Sequence, residues 1–159
     1  NSKRASRTES RIMLIRLAQA EDVATLAALD ARCNPVPWSA KQFLAALNSP
    51  HDTVLLAWQD KQLAGFAVWQ TVCDESELHL IATAPEYRRQ GLAGQLMMSW
   101  QQACAEQGVR RLLLEVRDSN HAAQQLYVKH GFQAYTRRRQ YYSLPDGTRE
   151  DAVLMEQAC

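Results

Sequence analysis

Apolar positions recur in two rhythms along this chain, and each change of rhythm marks an element. Ile12–Leu17 is a short apolar run of strand character. From Ala20 to Arg32 the apolar residues Val23, Leu26, Ala27 and Leu29 are spaced for one face of a helix. Asn34-Pro35-Val36-Pro37 breaks that helix. Ser39-Ala40-Lys41-Gln42 then has the S-x-x-Q form of a capping box. It predicts a second short helix with Phe43, Leu44 and Leu47 turned inward, stopped by Asn48-Ser49-Pro50. The rhythm shifts to strands at Thr53–Trp58 and Leu63–Val72, two β-branched and aromatic runs separated by the hairpin signal Asp60-Lys61.

Glu77–Thr83 is a third strand of this group, ended by Pro85. The clearest helix runs over Gly91–Gln107, where Leu92, Leu96, Trp100 and Ala103/Cys104 step by three or four and Gly108 stands ready to end it. Arg111–Val116 reads as a buried strand, and Ala122–His130 as a helix stopped by Gly131. Two extended segments, Phe132–Leu144 and Glu150–Glu156, flank the turn Pro145-Asp146-Gly147. The order is β-α-α-β-β-β-α-β-α-β-β. The helix between Glu77–Thr83 and Arg111–Val116 allows those strands to lie parallel through a crossover, while the earlier three suit antiparallel pairing. The fold class is therefore α/β, with a mixed sheet and helices against it.

The chain of 159 residues is about the length of one domain, with 47% hydrophobic and 22% charged residues. Residues 12–159 are expected to form that domain, and the basic, polar residues 1–11 a flexible segment. A formal net charge of +1 argues against a nucleic-acid-binding surface. The four cysteines, Cys33, Cys73, Cys104 and Cys159, show no metal-type C-x-x-C pair and suit a reducing cytoplasm. No metal site is expected. Apolar stretches such as Val54–Trp58 fall far short of the roughly 18 residues that span a bilayer, so no membrane partner is expected either.

Chemistry enters at Arg88-Arg89-Gln90-Gly91-Leu92-Ala93-Gly94, between a strand and the best helix. The first amides of a helix lack intrahelical partners, and the helix dipole adds positive potential there. Gly91, Ala93 and Gly94 leave room for a phosphate to approach, and Arg88 and Arg89 supply countercharge. A solvated helix start is the plainer alternative. The pattern is neither a P-loop nor a dinucleotide fingerprint.

Arg88-x-x-Gly91-x-Ala93 resembles the Q/R-x-x-G-x-G/A motif of the GCN-related N-acetyltransferase (GNAT) superfamily. The resemblance narrows through Pro37-Trp38-Ser39, the run from Leu114 to Asn120, Leu126-Tyr127 with Gly131-Phe132, Arg138–Tyr142 and Arg149–Ala152. Together these are similar to the ribosomal-protein-alanine N-acetyltransferase (RimI) family over about Leu14 to Met155. Ala93 in place of a second glycine, and Thr83-Ala84 where the family more often has Val and Asp, are its departures. The resemblance implies a GNAT-type fold whose central sheet is mostly antiparallel, and acetyl-CoA as cosubstrate. It places the pantetheine arm along Ile81, Ala82 and Thr83, the pyrophosphate on the Arg88–Gly94 turn, and a further cofactor contact at Asn120. The acceptor it implies is the N-terminal segment of a protein, in particular the alanine of ribosomal small-subunit protein eighteen.

Acetyl transfer requires that an amine lose a proton, that an oxyanion be stabilised and that a thiolate be protonated. Glu115 follows the apolar Leu112-Leu113-Leu114, and apolar surroundings raise a carboxyl pKa toward that of a useful base. Reaching water or pairing with Arg117 is its structural alternative. Tyr127 stays protonated at neutral pH, although a core tyrosine is the ordinary reading of its position. The family match makes Glu115 the base and Tyr127 the acid. An α-amine, with a reference pKa of about 7.7–8.0, is roughly a tenth neutral at pH 7, so one glutamate suffices for it. His79 reads as a solvent-facing strand residue, with a catalytic role as its alternative, Cys104 as core, and the four tryptophans as packing. Arg137-Arg138-Arg139 is either an exposed strand face or a contact to acceptor or CoA. A relative acting on lysine or a small amine, and a non-catalytic acetyl-CoA-binding module, remain as alternative functions.

Overall fold

A computed structural model describes residues 13–159; the segment 1–11 and Ile12 lie outside the described residues. Seven strands form one sheet in the order β1-β2-β3-β4-β5-β7-β6. These are β1 (Met13–Leu17), β2 (Asp52–Gln59), β3 (Gln62–Val72), β4 (Glu75–Thr83), β5 (Arg111–Arg117), β6 (Gln133–Ser143) and β7 (Arg149–Ala158). Only β4 and β5 pair in parallel, joined by a helical crossover. The mixed, mostly antiparallel sheet agrees with the expected class. Asp60 and Lys61 both take left-handed backbone angles (φ 53 and 64), the conformation that lets a two-residue turn join twisted strands.

Four helices cover the sheet: α1 (Val23–Cys33), α2 (Ala40–Asn48), α3 (Leu92–Glu106) and α4 (His121–Lys129). On one face Leu26 and Leu29 of α1 and Phe43 of α2 pack on Val54, Leu56, Phe66 and Val68. On the other, Leu96 and Trp100 of α3 and Tyr127 of α4 pack on Ala57, Ala67, Leu112 and Leu114. Cys104 and Trp100 belong to this second core, and Trp100 Nε1 donates to the buried Ser76 Oγ at 2.9 Å. The α2 capping box forms as the sequence predicts: Gln42 N–H donates to Ser39 Oγ, and Ser39 N–H to Gln42 Oε1. Two local expectations change. The first helix begins with a 3₁₀ turn over Ala20–Asp22, where Arg16 grips the buried Asp22 carboxylate at 2.8 and 2.9 Å. Leu44 is 42% exposed instead of inward, because Phe43 anchors the helix and at 100° per residue its stripe continues through Ala46.

The sheet does not stay closed. β4 and β5 pair from Glu75↔Arg111 to Leu78↔Leu114 and then part. At that level β4 carries one extra residue against β3: Leu78 pairs with Trp69, Leu80 with Val68, and His79 is left between them. A bulge bends its strand and sharpens the local twist. Further along, Gly65 of β3, paired with Thr83, permits a close approach of the two strands, since a Cβ there would lie 2.7 Å from Ala82 O. Beyond Leu78 one edge of β4 faces a gap rather than a neighbouring strand.

Candidate active site

That gap is a cleft of about 200 Å³ floored by Leu80 and Ile81 of β4 and by Glu115 and Val116 of β5. Half the peptide groups along an unpaired edge have no strand to bond, so the edge favours an extended ligand with amides of its own. Ile81 faces the cleft directly. Ala82 instead turns its methyl into the core under α1, and Thr83 O accepts from Arg88 Nε at 3.3 Å.

The Arg88–Gly94 turn follows the C-terminal end of β4 and leads into α3. Arg89 (φ 63) and Gly91 (φ 78) are both left-handed, and Gly91 is the N-cap of α3. Gln95 N–H is the first to bond inside the helix, to Gly91 O at 3.1 Å, so the amides of Leu92, Ala93 and Gly94 precede the ladder. Nothing lies within 4 Å of where a Gly91 Cβ would stand, which leaves that approach open. Gly94 has a different reason to be glycine: a Cβ there would come 3.2 Å from His130 Nε2, so it permits α4 to approach α3. Arg89 and Gln90 are exposed on the turn. The Leu92 side chain is buried in the core, leaving its amide as its contribution to the turn.

Glu115 lies inside β5, which continues to Arg117, and its side chain points away from the Leu112-Leu114-Val116 core face. Burial pushes its pKa above the ordinary carboxylate range; the Arg138 guanidinium, with Nη1 3.4 Å from Oε1, pulls it back, and Glu77 adds to the rise. Tyr127 lines the same cleft from α4 and is 5% exposed. Burial lifts its pKa well above that of a free phenol, so it remains a proton donor at any physiological pH. Asn120 Oδ1 caps α4 by accepting from Ala123 N–H at 3.2 Å, and the residue also faces the cleft.

The cleft is also walled by parts of the chain to which the sequence assigned no site role. Asn34, Pro35 and Val36, between α1 and α2, form one side. Tyr142 of β6 forms the other; burial and the nearby Glu115 charge push its pKa up to about 12. Between the pairs Arg138↔Ala152 and Tyr142↔Glu150, β6 loops out Arg139, Gln140 and Tyr141 against Asp151. Gln140 (φ 51) holds the loop by donating its N–H to Asp151 Oδ1 at 2.9 Å. The arginine run thereby divides: Arg138 reaches Glu115, while Arg137 pairs with Asp118 at 2.7 Å. His79 is exposed, as expected of a solvent-facing strand residue, and as the bulge residue it also lines the cleft, 6.3 Å from the Trp38 ring and with Nε2 3.9 Å from Glu77. No local pattern marks Tyr142, His79 or the Pro35-Val36 wall, because each reaches the cleft through strand register or a long-range loop contact.

Comparison with known proteins agrees with this geometry. A family model described as "Acetyltransferase (GNAT) family" matches residues 23–132. The [ribosomal protein bS18]-alanine N-acetyltransferase of Escherichia coli strain K12 is 41% identical over 127 residues, 80% of this chain and 84% of that protein. The crystal structure of the ribosomal-protein-S18-alanine N-acetyltransferase from Escherichia coli superposes with a TM-score of 0.86 at 36% identity, covering 92% of this chain and 94% of that one. Arabidopsis thaliana NAA60, solved in complex with acetyl-CoA, shares the fold at 17% identity, with a TM-score of 0.83 over 92% of this chain and 98% of that one. Among the described residues no helix is long and apolar enough to cross a membrane.

Proposed function

This chain belongs to the acetyltransferase (GNAT) family, and from that premise we propose that it acetylates the N-terminal α-amino group of a protein, using acetyl-CoA. The acceptor that best fits its relatives is the N-terminal alanine of ribosomal protein bS18. The observation that carries the reading is that Glu115 and Tyr127 line one cleft beside the unpaired edge of β4, a strand whose chain runs on into the unbonded amides at the start of α3. This arrangement suits a molecule with a diphosphate at one end, amides along its arm and a thioester at the other.

In this reading Leu92, Ala93 and Gly94 donate their amides to the pyrophosphate, with Arg88, Arg89, Gln90 and Gly91 shaping the turn. Ile81, Ala82 and Thr83 offer main-chain groups to the pantetheine arm. Acetyl-CoA supplies an acetyl group activated as a thioester. Glu115 accepts the proton of the incoming ammonium, and its raised pKa brings it nearer the 7.7–8.0 or so of an α-amine. As the C–N bond forms and the C–S bond breaks, Tyr127 donates its phenolic proton to the leaving sulfur, and the second nitrogen proton, released as the amide forms, restores the phenol by way of solvent. Asn120 holds the first turn of α4, which carries Tyr127, against the cleft. The acceptor enters between the Pro35-Val36 wall and Tyr142.

Mass spectrometry after incubation with acetyl-CoA tests the proposal on three acceptors: an alanine-starting peptide, the same peptide with a blocked N-terminus, and a polyamine. A gain of one acetyl group on the first alone is expected. Acetylation of the blocked peptide at lysine, or of the polyamine in preference, would overturn the acceptor assignment.

A further inference from the structure

Asp30, in the last turns of α1, has 0% of its surface exposed. A buried carboxylate is costly unless its oxygens are bonded, so its partners show what it is for. Oδ1 accepts from Asn34 Nδ2, Oδ2 accepts from the Trp38 main-chain N–H at 2.8 Å, and the Asp30 carbonyl accepts from Asn34 N–H at 2.9 Å. Every one of these donors belongs to the segment between α1 and α2. That segment carries two prolines and includes Val36, which is 66% exposed, so its own main chain offers little to fix its shape. Its far end is pinned by the Trp38 ring, 5.3 Å from Phe43 and 6.3 Å from His79 on the bulge of β4. Between the two anchors, Asn34, Pro35 and Val36 wall the cleft.

We propose that Asp30 is a positioning residue for the acceptor: it clamps both ends of the Asn34–Trp38 arch, so that Pro35 and Val36 stand at a fixed distance across the cleft from Tyr142. Asp30 touches neither substrate. A carboxylate suits the task because both side-chain oxygens meet donors and no proton of its own has to be placed. The hydrogen bonds of Asp30 all go to this arch, whereas the α3 turn is set by its own backbone angles. The inference rests on the proposed acceptor chemistry of this cleft.

The test pairs kinetics with hydrogen exchange. Asp30→Leu fills the buried space but accepts no hydrogen bond. It is expected to raise the KM for an alanine-starting peptide about tenfold or more, while the KM for acetyl-CoA stays within twofold. Asp30→Asn is expected to recover most of the loss, because its oxygen serves Trp38 N–H and its amide meets Asn34 turned over. Equal loss for both substrates, or a lowered Tm with both KM values unchanged, would make Asp30 a folding residue and overturn the proposal. Amide exchange in the unaltered protein requires neither a folded variant nor a known acceptor. The Trp38 amide is expected to exchange at least tenfold more slowly than that of Val36, and equal rates would refute the clamp. Failure of the unaltered enzyme to modify the peptide would count against the acceptor assignment, with the exchange result still deciding the clamp.

Discussion

The two ends of the cleft use different materials. Toward α3 the groups offered to a ligand are main-chain: amides of Leu92, Ala93 and Gly94, and the open edge of β4 after Leu78. At the other end they are side chains and looped segments, namely Pro35 and Val36 held by Asp30, and Tyr142 beside the β6 loop-out held by Asp151. Glu115 and Tyr127 sit between. Main-chain donors at a helix start fit any diphosphate and do not depend on which side chains surround them. An amine acceptor has no such generic handle, so its recognition depends on surfaces placed by distant contacts. One end can serve a cosubstrate common to a whole family while the other is altered to change the acceptor.

Substitutions should separate the middle of the cleft from both ends. The largest effect is expected at the reacting groups. Glu115→Gln should lower kcat about a hundredfold or more in steady-state assays, with the KM for acetyl-CoA little changed. Tyr127→Phe should cost a similar factor and likewise spare acetyl-CoA binding; full activity in both variants would remove the acid–base assignment. At the cofactor end Gly91→Ala forces a Cβ into left-handed backbone at φ 78, worth about 1–2 kcal/mol. Its KM for acetyl-CoA should rise about tenfold with the acceptor KM unchanged, the reverse of the split expected at Asp30. A rise in both would mean that the ends are coupled.

The smallest effect concerns pH. Glu115 works as its carboxylate, and burial raises its pKa, so kcat/KM should climb with pH above the ordinary carboxylate range. Arg138 favours the charged form from 3.4 Å. Arg138→Ala should therefore move the ascending limb to still higher pH, which a pH–rate profile would detect. An unmoved limb would mean that solvent screens the pair completely.

The cofactor end was legible in the chain because its cause is local. Strand, Arg-Gly turn and amphipathic helix follow one another within about thirty residues, and Gly91 does stand at a left-handed position beside open space. Gly94 shows the limit of such reading, since its missing side chain serves the approach of His130 from another helix. Glu115 was visible as a charge among leucines, but not its neighbour Arg138, which arrives from the adjacent β6–β7 ribbon. His79 was legible as a surface residue but not as part of the cleft wall, because a bulge is a mismatch between two strands and leaves no mark on either alone. Asp30 had no signal at all. It falls within a helical pattern as one more polar residue, and only the return of Trp38 onto it shows that it is buried.

By itself the sequence determined the order of elements, the capping of α2, the hairpin at Asp60-Lys61 and the glycine-bearing turn that opens α3. Each of these is settled by neighbours a few residues apart, through periodicity, capping and allowed backbone angles. Tertiary structure alone decided that β4 and β5 separate after Leu78, that Glu115 and Tyr127 reach the same gap from a strand and a helix, and that two carboxylates hold the Asn34–Trp38 segment and the β6 loop-out. Those outcomes depend on register between strands and on segments folded back across the sheet, where the energy lies in pairings that no short stretch of chain contains.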